Sequence, residues 1–324
     1  MAPPAPERPS TAPDLRHRQR TGLVFATVSA AAFGSSGPMG RALIDAGWTA
    51  GAAVLVRLGG AAVLLTALAL LLQRQRERLT WHSARVLLVY GVVAMAGVQL
   101  AFFNAVRTLD VGVALLLEYL APVLLLTWTS LRTRRRPANA TLVGAALTLV
   151  GLVLVLDLGG AGTVDPVGVA WGLLAAVCLA GYFSLSARQD AALPPLLMAA
   201  GGTAVGAAAI GLAGLVGVVP LRFTAVDTVL AGTSVSWLLP ALWLVVVSTA
   251  AAYLTGIAGV VRLGPRAASF VSLSEVLFAI LTAWVLLSQL PGMIQLLGGG
   301  CILAGIVVIQ RTERPAAVPP VATA

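Results

Sequence analysis

The chain has 324 residues, 59% of them hydrophobic and 10% charged, with a mean hydropathy of +0.95. Soluble globular and disordered classes do not have this composition; a polytopic helical membrane protein does. The net charge is +9 and every basic residue is arginine, but the arginines cluster between apolar spans with no aromatic-rich basic domain, which excludes a nucleic-acid partner.

Residues 1–20 are rich in Pro, Ala and Arg, lack apolar periodicity, and read as the main part of a disordered cytoplasmic tail, residues 1–21. A secretory signal is rejected because no large polar domain follows. Ten apolar spans come next, at 22–40, 49–72, 86–106, 109–131, 138–156, 166–186, 193–217, 237–261, 267–288 and 292–309. Most have about the twenty residues that a helix needs to cross a bilayer. Segments this long and apolar must close their backbone hydrogen bonds internally, so they are expected to be helices rather than barrel strands. A second short tail covers 310–324.

Arginine placement orients the spans. With the N-terminus in the cytoplasm, seventeen arginines fall in inside segments and three, Arg41, Arg107 and Arg222, fall outside, with Arg57 left within a span. Both termini are then cytoplasmic. Trp48, Trp128, Trp171, Trp237 and Trp284 lie near span ends, where interfacial anchors belong. The run Arg132 to Arg136 reads as an orientation signal, with anionic lipid contact as a secondary role.

Pro122, Gly144 and Gly151 correspond to Val276, Gly298 and Gly305 at a constant offset of 154 residues, and the spans starting at Gly22 and Gly168 also align. The expected fold is therefore all-α, ten transmembrane helices as two five-helix repeats over 22–156 and 166–309. An odd number of spans per repeat places the second inverted relative to the first, an arrangement that recurs in transporters with a midplane site exposed alternately to each side. The four glycines read first as close helix packing.

Glu118 lies about 14 Å along the fourth span, near the middle of the hydrocarbon layer, where a carboxylate is costly and by default a functional candidate. Pro122, four residues on, removes the N–H that would bond the Glu118 carbonyl. Glu275 lies about 14 Å along the ninth span, one turn out of register with Glu118 under the repeat, and reads equally as functional or structural. Arg57 could clamp a carboxylate, pair structurally or snorkel outward. Gln99, Asn104, Tyr119, Tyr182 and Tyr253 could supply neutral hydrogen bonds, though each tyrosine is also a packing residue. Cys178 and Cys301 sit alone in apolar spans and read as packing residues.

The five-plus-five layout, Arg57 in the second span, the proline-containing fourth span, and the sequences Leu-Ser-Glu (273–275) and Gln-Leu-Leu-Gly-Gly-Gly (295–300) resemble the EamA-type transporters of the drug/metabolite transporter superfamily. The stretch YGVVAMAGVQLAFFNAVRTLDVGVALLLEYLAP (90–122) is similar to the threonine/homoserine exporter branch, and the likeness implies that Glu118, Tyr119 and Pro122 line a substrate path. The chain departs from the family pattern at Val276, where a proline commonly follows the glutamate, and at Ser288-Gln289, where Gly-Glu is common. The first departure is expected to remove a helix break beside Glu275.

Enzymatic chemistry finds no set of residues: His17 and His82 lie apart in polar segments, and there is no P-loop. The expectation is an inner-membrane secondary transporter exporting amino acids or similar small polar metabolites. It would need no cofactor beyond a coupled proton, with the bilayer and a small-molecule substrate as partners and homodimerisation left open. An exporter of drugs or lipophilic cations is the alternative, and a non-transporting scaffold or sensor is a third.

Overall fold

The structure, a computed structural model, describes residues 12–72, 80–134, 138–156, 165–186 and 193–312. Eight helical stretches among them are long and apolar enough to cross a bilayer: Ala50–Leu72, Trp81–Ala105, Val111–Thr133, Asn139–Leu156, Pro195–Leu215, Leu238–Leu263, Ala267–Leu287 and Met293–Arg311. The other two expected spans are helical as well. One is divided between α1 (Ala12–Gly34) and α2 (Ser36–Asp45), and the other is α9 (Pro166–Ser186), whose apolar stretch Pro166–Gly181 is shorter. Leu71 and Leu215 are 80% and 84% exposed, as suits helix faces turned to acyl chains rather than to water.

Several spans are not continuous α-helices. α3 (Ala50–Leu72) is regular, but α4 (Trp81–Val89) passes through a π-helical segment, Tyr90–Gly97, into α5 (Val98–Ala105). The fourth span is split into α6 (Val111–Glu118) and α7 (Ala121–Thr133), followed by α8 (Asn139–Leu156), α9 and α10 (Pro195–Leu215). α11 (Leu238–Val245) runs through a second π-helical segment, Val246–Ala251, into α12 (Ala252–Leu263). The ninth span is split into α13 (Pro265–Ser272) and α14 (Ser274–Leu287), and α15 (Met293–Thr312) closes the order.

The chain forms two compact units, each drawing on both halves of the sequence: residues 1–92 with 191–289, and residues 93–190 with 290–324. In the first unit α1 packs on α12, α13 and α14, α3 packs on α10, and α2 packs on α11 and α14. Leu43, Val54, Leu58, Leu65 and Leu244 are its most deeply buried large side chains. In the second unit α9 packs on α5, α6 and α7, and α8 packs on α15. The glycines expected to mediate close packing do so. A Cβ added at Gly144 would lie 2.8 Å from the Gly305 carbonyl oxygen, and one at Gly298 would lie 2.7 Å from that of Gly151, so α8 and α15 touch backbone to backbone.

Two sequence readings need correction here. Residues 12–20 are helical rather than part of an unstructured tail. Leu15, Arg16, Arg18, Gln19 and Arg20 are good helix formers and continue the helix of the first span toward its N-terminus, and Arg18 Nη2 donates to the Val261 carbonyl at 3.2 Å. The connection before α11 also holds a hairpin that hydropathy does not reveal. β1 (Thr228–Leu230) pairs antiparallel with β2 (Thr233–Val235), and Ala231 and Gly232 at φ +49° and +73° make the turn. Trp48 anchors that end of the first unit, donating from Nε1 to the Thr224 carbonyl at 2.8 Å and stacking near Phe223 and Trp237.

Candidate functional site

In the second unit, Glu118 is the last residue of α6, and the ladder of hydrogen bonds stops beyond it. Tyr119 N–H still reaches the Leu115 carbonyl at 3.0 Å, but Leu120 and Val123 N–H bond only three residues back, to Leu117 and Leu120 at 3.1 and 3.0 Å. Pro122, half-buried in the first turn of α7, has no N–H to give the Glu118 carbonyl. Glu118 and Tyr119 are both half-buried, and Glu118 is within electrostatic range of Cys178 on α9. α9 fixes this end of α6 closely: a Cβ on Gly172 would lie 2.6 Å from Leu117 Cδ1.

Gln99 and Asn104 belong to α5 of the same unit. Gln99 is 9% exposed, and its Oε1 has no hydrogen-bond partner among the described residues. Leaving such an acceptor unmatched costs about 1–3 kcal/mol, so the position is ready for an incoming donor. Asn104 is engaged locally: its Nδ2 donates to the Leu100 carbonyl at 2.8 Å, and its Oδ1 accepts from Arg107 at 3.4 Å. Tyr182 lies on α9, and its side chain is outside the described residues.

In the first unit, Glu275 is half-buried in the first turn of α14, just past a break at Leu273. The break is present although Val276 stands in place of a proline, contrary to the sequence expectation. Hydroxyls supply it instead. Ser274 Oγ donates at 2.6 Å to the Val271 carbonyl, the acceptor that an unbroken helix would give to Glu275 N–H, and Ser272 Oγ donates at 2.8 Å to Ser269. α1 also presses on this point, since a Cβ on Gly34 would lie 2.7 Å from the Glu275 carbonyl oxygen and 2.9 Å from Ala279 N.

Arg57 is 4% exposed and does not snorkel. Its Nε donates to Thr249 Oγ1 at 2.9 Å and its Nη2 to the Ser248 carbonyl at 3.1 Å, both on the π-helical segment. That segment's wide turn lets Thr249 Oγ1 in turn donate to Leu244 at 2.7 Å. Ser248 Oγ lies 3.0 Å from Ser35 Oγ, which takes a 2.8 Å bond from Trp243 Nε1 and donates to Ala32 at 2.7 Å. Sequence reasoning missed Ser35, Ser248 and Thr249; the signal available was a pair of small hydroxyl residues inside each apolar span. Tyr253 packs edge-on against Phe33, with centroids 5.1 Å apart, and lies against a cluster of Leu65, Ala199, Ala200 and Ala250. That is the packing role its residue type allowed.

Helices long and apolar enough to cross a bilayer, broken beside carboxylates, form an arrangement that recurs in membrane transporters. The chain belongs to the EamA-like transporter family, which matches residues 20–157 and, a second time, residues 166–311. It is 28% identical over 243 residues to the threonine/homoserine exporter RhtA of Escherichia coli, covering 74% of this chain and 75% of that one. It is 25% identical over 234 residues to the inner membrane transporter YicL of Salmonella typhimurium (72% and 75% covered). To the transporter YwfM of Bacillus subtilis it is 26% identical over 266 residues (79% and 82% covered). A solved crystal structure shares its fold over 94% of this chain and all of that one, with a TM-score of 0.53 at 19% identity.

Proposed function

We propose that the protein is a secondary transporter of the bacterial inner membrane that exports amino acids or similarly small polar metabolites by alternating access, with Glu118 as the group that engages a substrate ammonium or a coupled proton. The observation that carries this reading is the placement of Glu118 at the C-terminal end of a half-helix. There the partial negative charge of the helix terminus adds to that of the carboxylate, and the spot attracts a cation. Glu275, in the first turn of α14, has its charge offset by the opposite end of a dipole, which suits a structural acid better. Gln99 Oε1 supplies an acceptor for a substrate donor in the same unit as Glu118, and Tyr119 orients the ligand. Arg57 is assigned to holding the π-helical segment. The name of the relative RhtA supports the amino-acid class of substrate.

The reading includes two inverted repeats with both termini in the cytoplasm. Recurrence at the 154-residue offset supports it. The π-helical segments end at Gly97 and Ala251, the helix breaks include Tyr119 and Leu273, and Thr108 and Leu109, which meet Gly168, stand at that offset from Arg262 and Leu263, which meet Gly22. Reconstitution in liposomes with an imposed pH gradient tests the function. Gradient-driven movement of labelled amino acids, lost in Glu118→Gln, is the expected result. Movement of a fluorescent lipophilic cation alone would replace this reading with drug export, and no flux of either from a folded, oriented protein would favour a scaffold.

A further inference from the structure

The second unit carries an apolar groove of about 420 Å³ between α7 and α9, lined by Leu124, Leu125, Trp128, Leu131, Val177 and Gly181. Its rim is open, with Trp128, Leu131 and Val177 exposed by 62%, 73% and 56%. The corresponding place in the first unit is filled. The residues 154 positions after Leu124 and Leu125 are Phe278 and Ala279, which lie directly beneath Gly34, and α2 then continues over α14. Among the described residues, no segment does for α7 and α9 what α2 does for α14. An apolar surface that α2 covers in the first unit thus has no such cover in the second among the described residues, and its exposed rim offers acyl chains a place to lie.

The charge at the mouth of the groove selects the occupant. Leu124, Trp128 and Arg132 recur every four residues and so stand on one face of α7, about 6 Å apart along its axis. Arg132 is in the last turn, and Arg134, at φ +53°, closes the helix; both are exposed. We propose that this groove binds an acyl chain of an anionic phospholipid whose phosphate is held by Arg132 and Arg134. Trp128 sits at the level where chain gives way to headgroup, the position an indole prefers at a membrane interface. Two guanidinium groups at the entrance repel a lipophilic cation, and they discriminate against a zwitterionic lipid, which carries no net charge to attract them. The site requires only that the protein lies in a bilayer and is independent of the transport role of Glu118.

Native mass spectrometry of the full chain, released from detergent with equimolar phosphatidylglycerol and phosphatidylcholine, tests the site. Wild type is expected to retain phosphatidylglycerol by roughly tenfold over phosphatidylcholine, at the scale of membrane-surface arginines. The Arg132→Gln/Arg134→Gln variant should lose that preference, and Val177→Trp, which fills the groove from an exposed position, should lower phosphatidylglycerol retention without changing thermal unfolding. Absence of a preference in wild type, or a preference that survives the double substitution, overturns the proposal. Location is read separately in phosphatidylcholine nanodiscs. Phosphatidylglycerol with brominated chains should quench the fluorescence component that Trp128→Phe removes more strongly than brominated phosphatidylcholine at the same mole fraction. Equal quenching by the two lipids would also overturn it.

Discussion

The two split helices, α6–α7 and α13–α14, break at corresponding positions by different chemistry, and they place their acids on opposite sides of the break. In the second unit a missing N–H at Pro122 opens the ladder and leaves Glu118 at the end of α6. In the first, Ser272 and Ser274 take the carbonyls, α1 presses on the backbone at Gly34, and Glu275 opens α14. A helix break at this position is thus a feature of the fold that two local devices can supply. The position of the acid relative to the break is what differentiates the sites, because it decides which end of a half-helix dipole the carboxylate meets.

The largest expected effect breaks the comparison outright. Glu118→Gln should reduce gradient-driven flux by roughly 10- to 100-fold, the scale of a lost charge-assisted contact, whereas Glu275→Gln should change it only a few-fold. Paired flux measurements in liposomes decide it, and an equal loss in both variants would mean that the dipole argument does not separate the two acids. Next in size is the packing that holds the first unit's break. Gly34→Ala puts a methyl against the Glu275 carbonyl and Ala279 N, neither of which can swing away, and should cost on the order of 1–3 kcal/mol. Gly300→Ala, on a helix position where a Cβ meets nothing within 4 Å, should be neutral or slightly stabilising. Thermal unfolding in one detergent compares the two directly.

The proline comparison is smaller and sharper. Pro122→Ala returns an N–H to the Glu118 carbonyl and should stabilise the α6–α7 helix while slowing transport. Val276→Pro should move the unfolding temperature by no more than a few degrees, because its N–H makes only a 3.3 Å bond to Leu273 in a first turn that tolerates proline. A large loss of stability in Val276→Pro would show that the serine-made break depends on that bond.

Much of this was legible in the sequence. Glu118, Pro122 and the four packing glycines stood out because an acid, a proline or a glycine is conspicuous in an apolar run, and the bilayer leaves few uses for each. The break at Leu273 was not legible, because serines cap, turn and back-bond with equal ease, and only the position of α1 settles which they do here. Arg57 was open to a structural reading, but with an acid as its partner rather than the hydroxyl and carbonyl it meets. Its acceptors, Thr249 and the Ser248 carbonyl, exist only because α11 widens into a π-turn, and no residue in Val246–Ala251 announces that turn. The hairpin at Thr228–Val235 is too short to register against the hydropathy of its neighbours.

The smallest expected effect separates the units by pH. The start of α9 is tied to the turn after α5 by Asp165, which accepts from Thr108 and from the Val167 N–H at 3.0 Å, while near the corresponding level of the first unit Arg18 donates to Val261. The Thr108 hydroxyl, foremost, and the backbone N–H groups of Val167 and Gly168 hold the Asp165 carboxyl below its ordinary value of 3.8. A carboxyl whose value is lowered on folding contributes stability that is fully present above its unfolded value and is lost as the pH falls through the folded one. Wild type should therefore unfold at a slightly higher temperature than Asp165→Asn near neutrality, and the gap should narrow as the pH falls below 3.8, whereas Arg18→Gln, which leaves the Asp165 contact in place, should keep that pH dependence. Because Asp165 is at the surface, the gap will be small, and its closing with pH rather than its size is what identifies the contact.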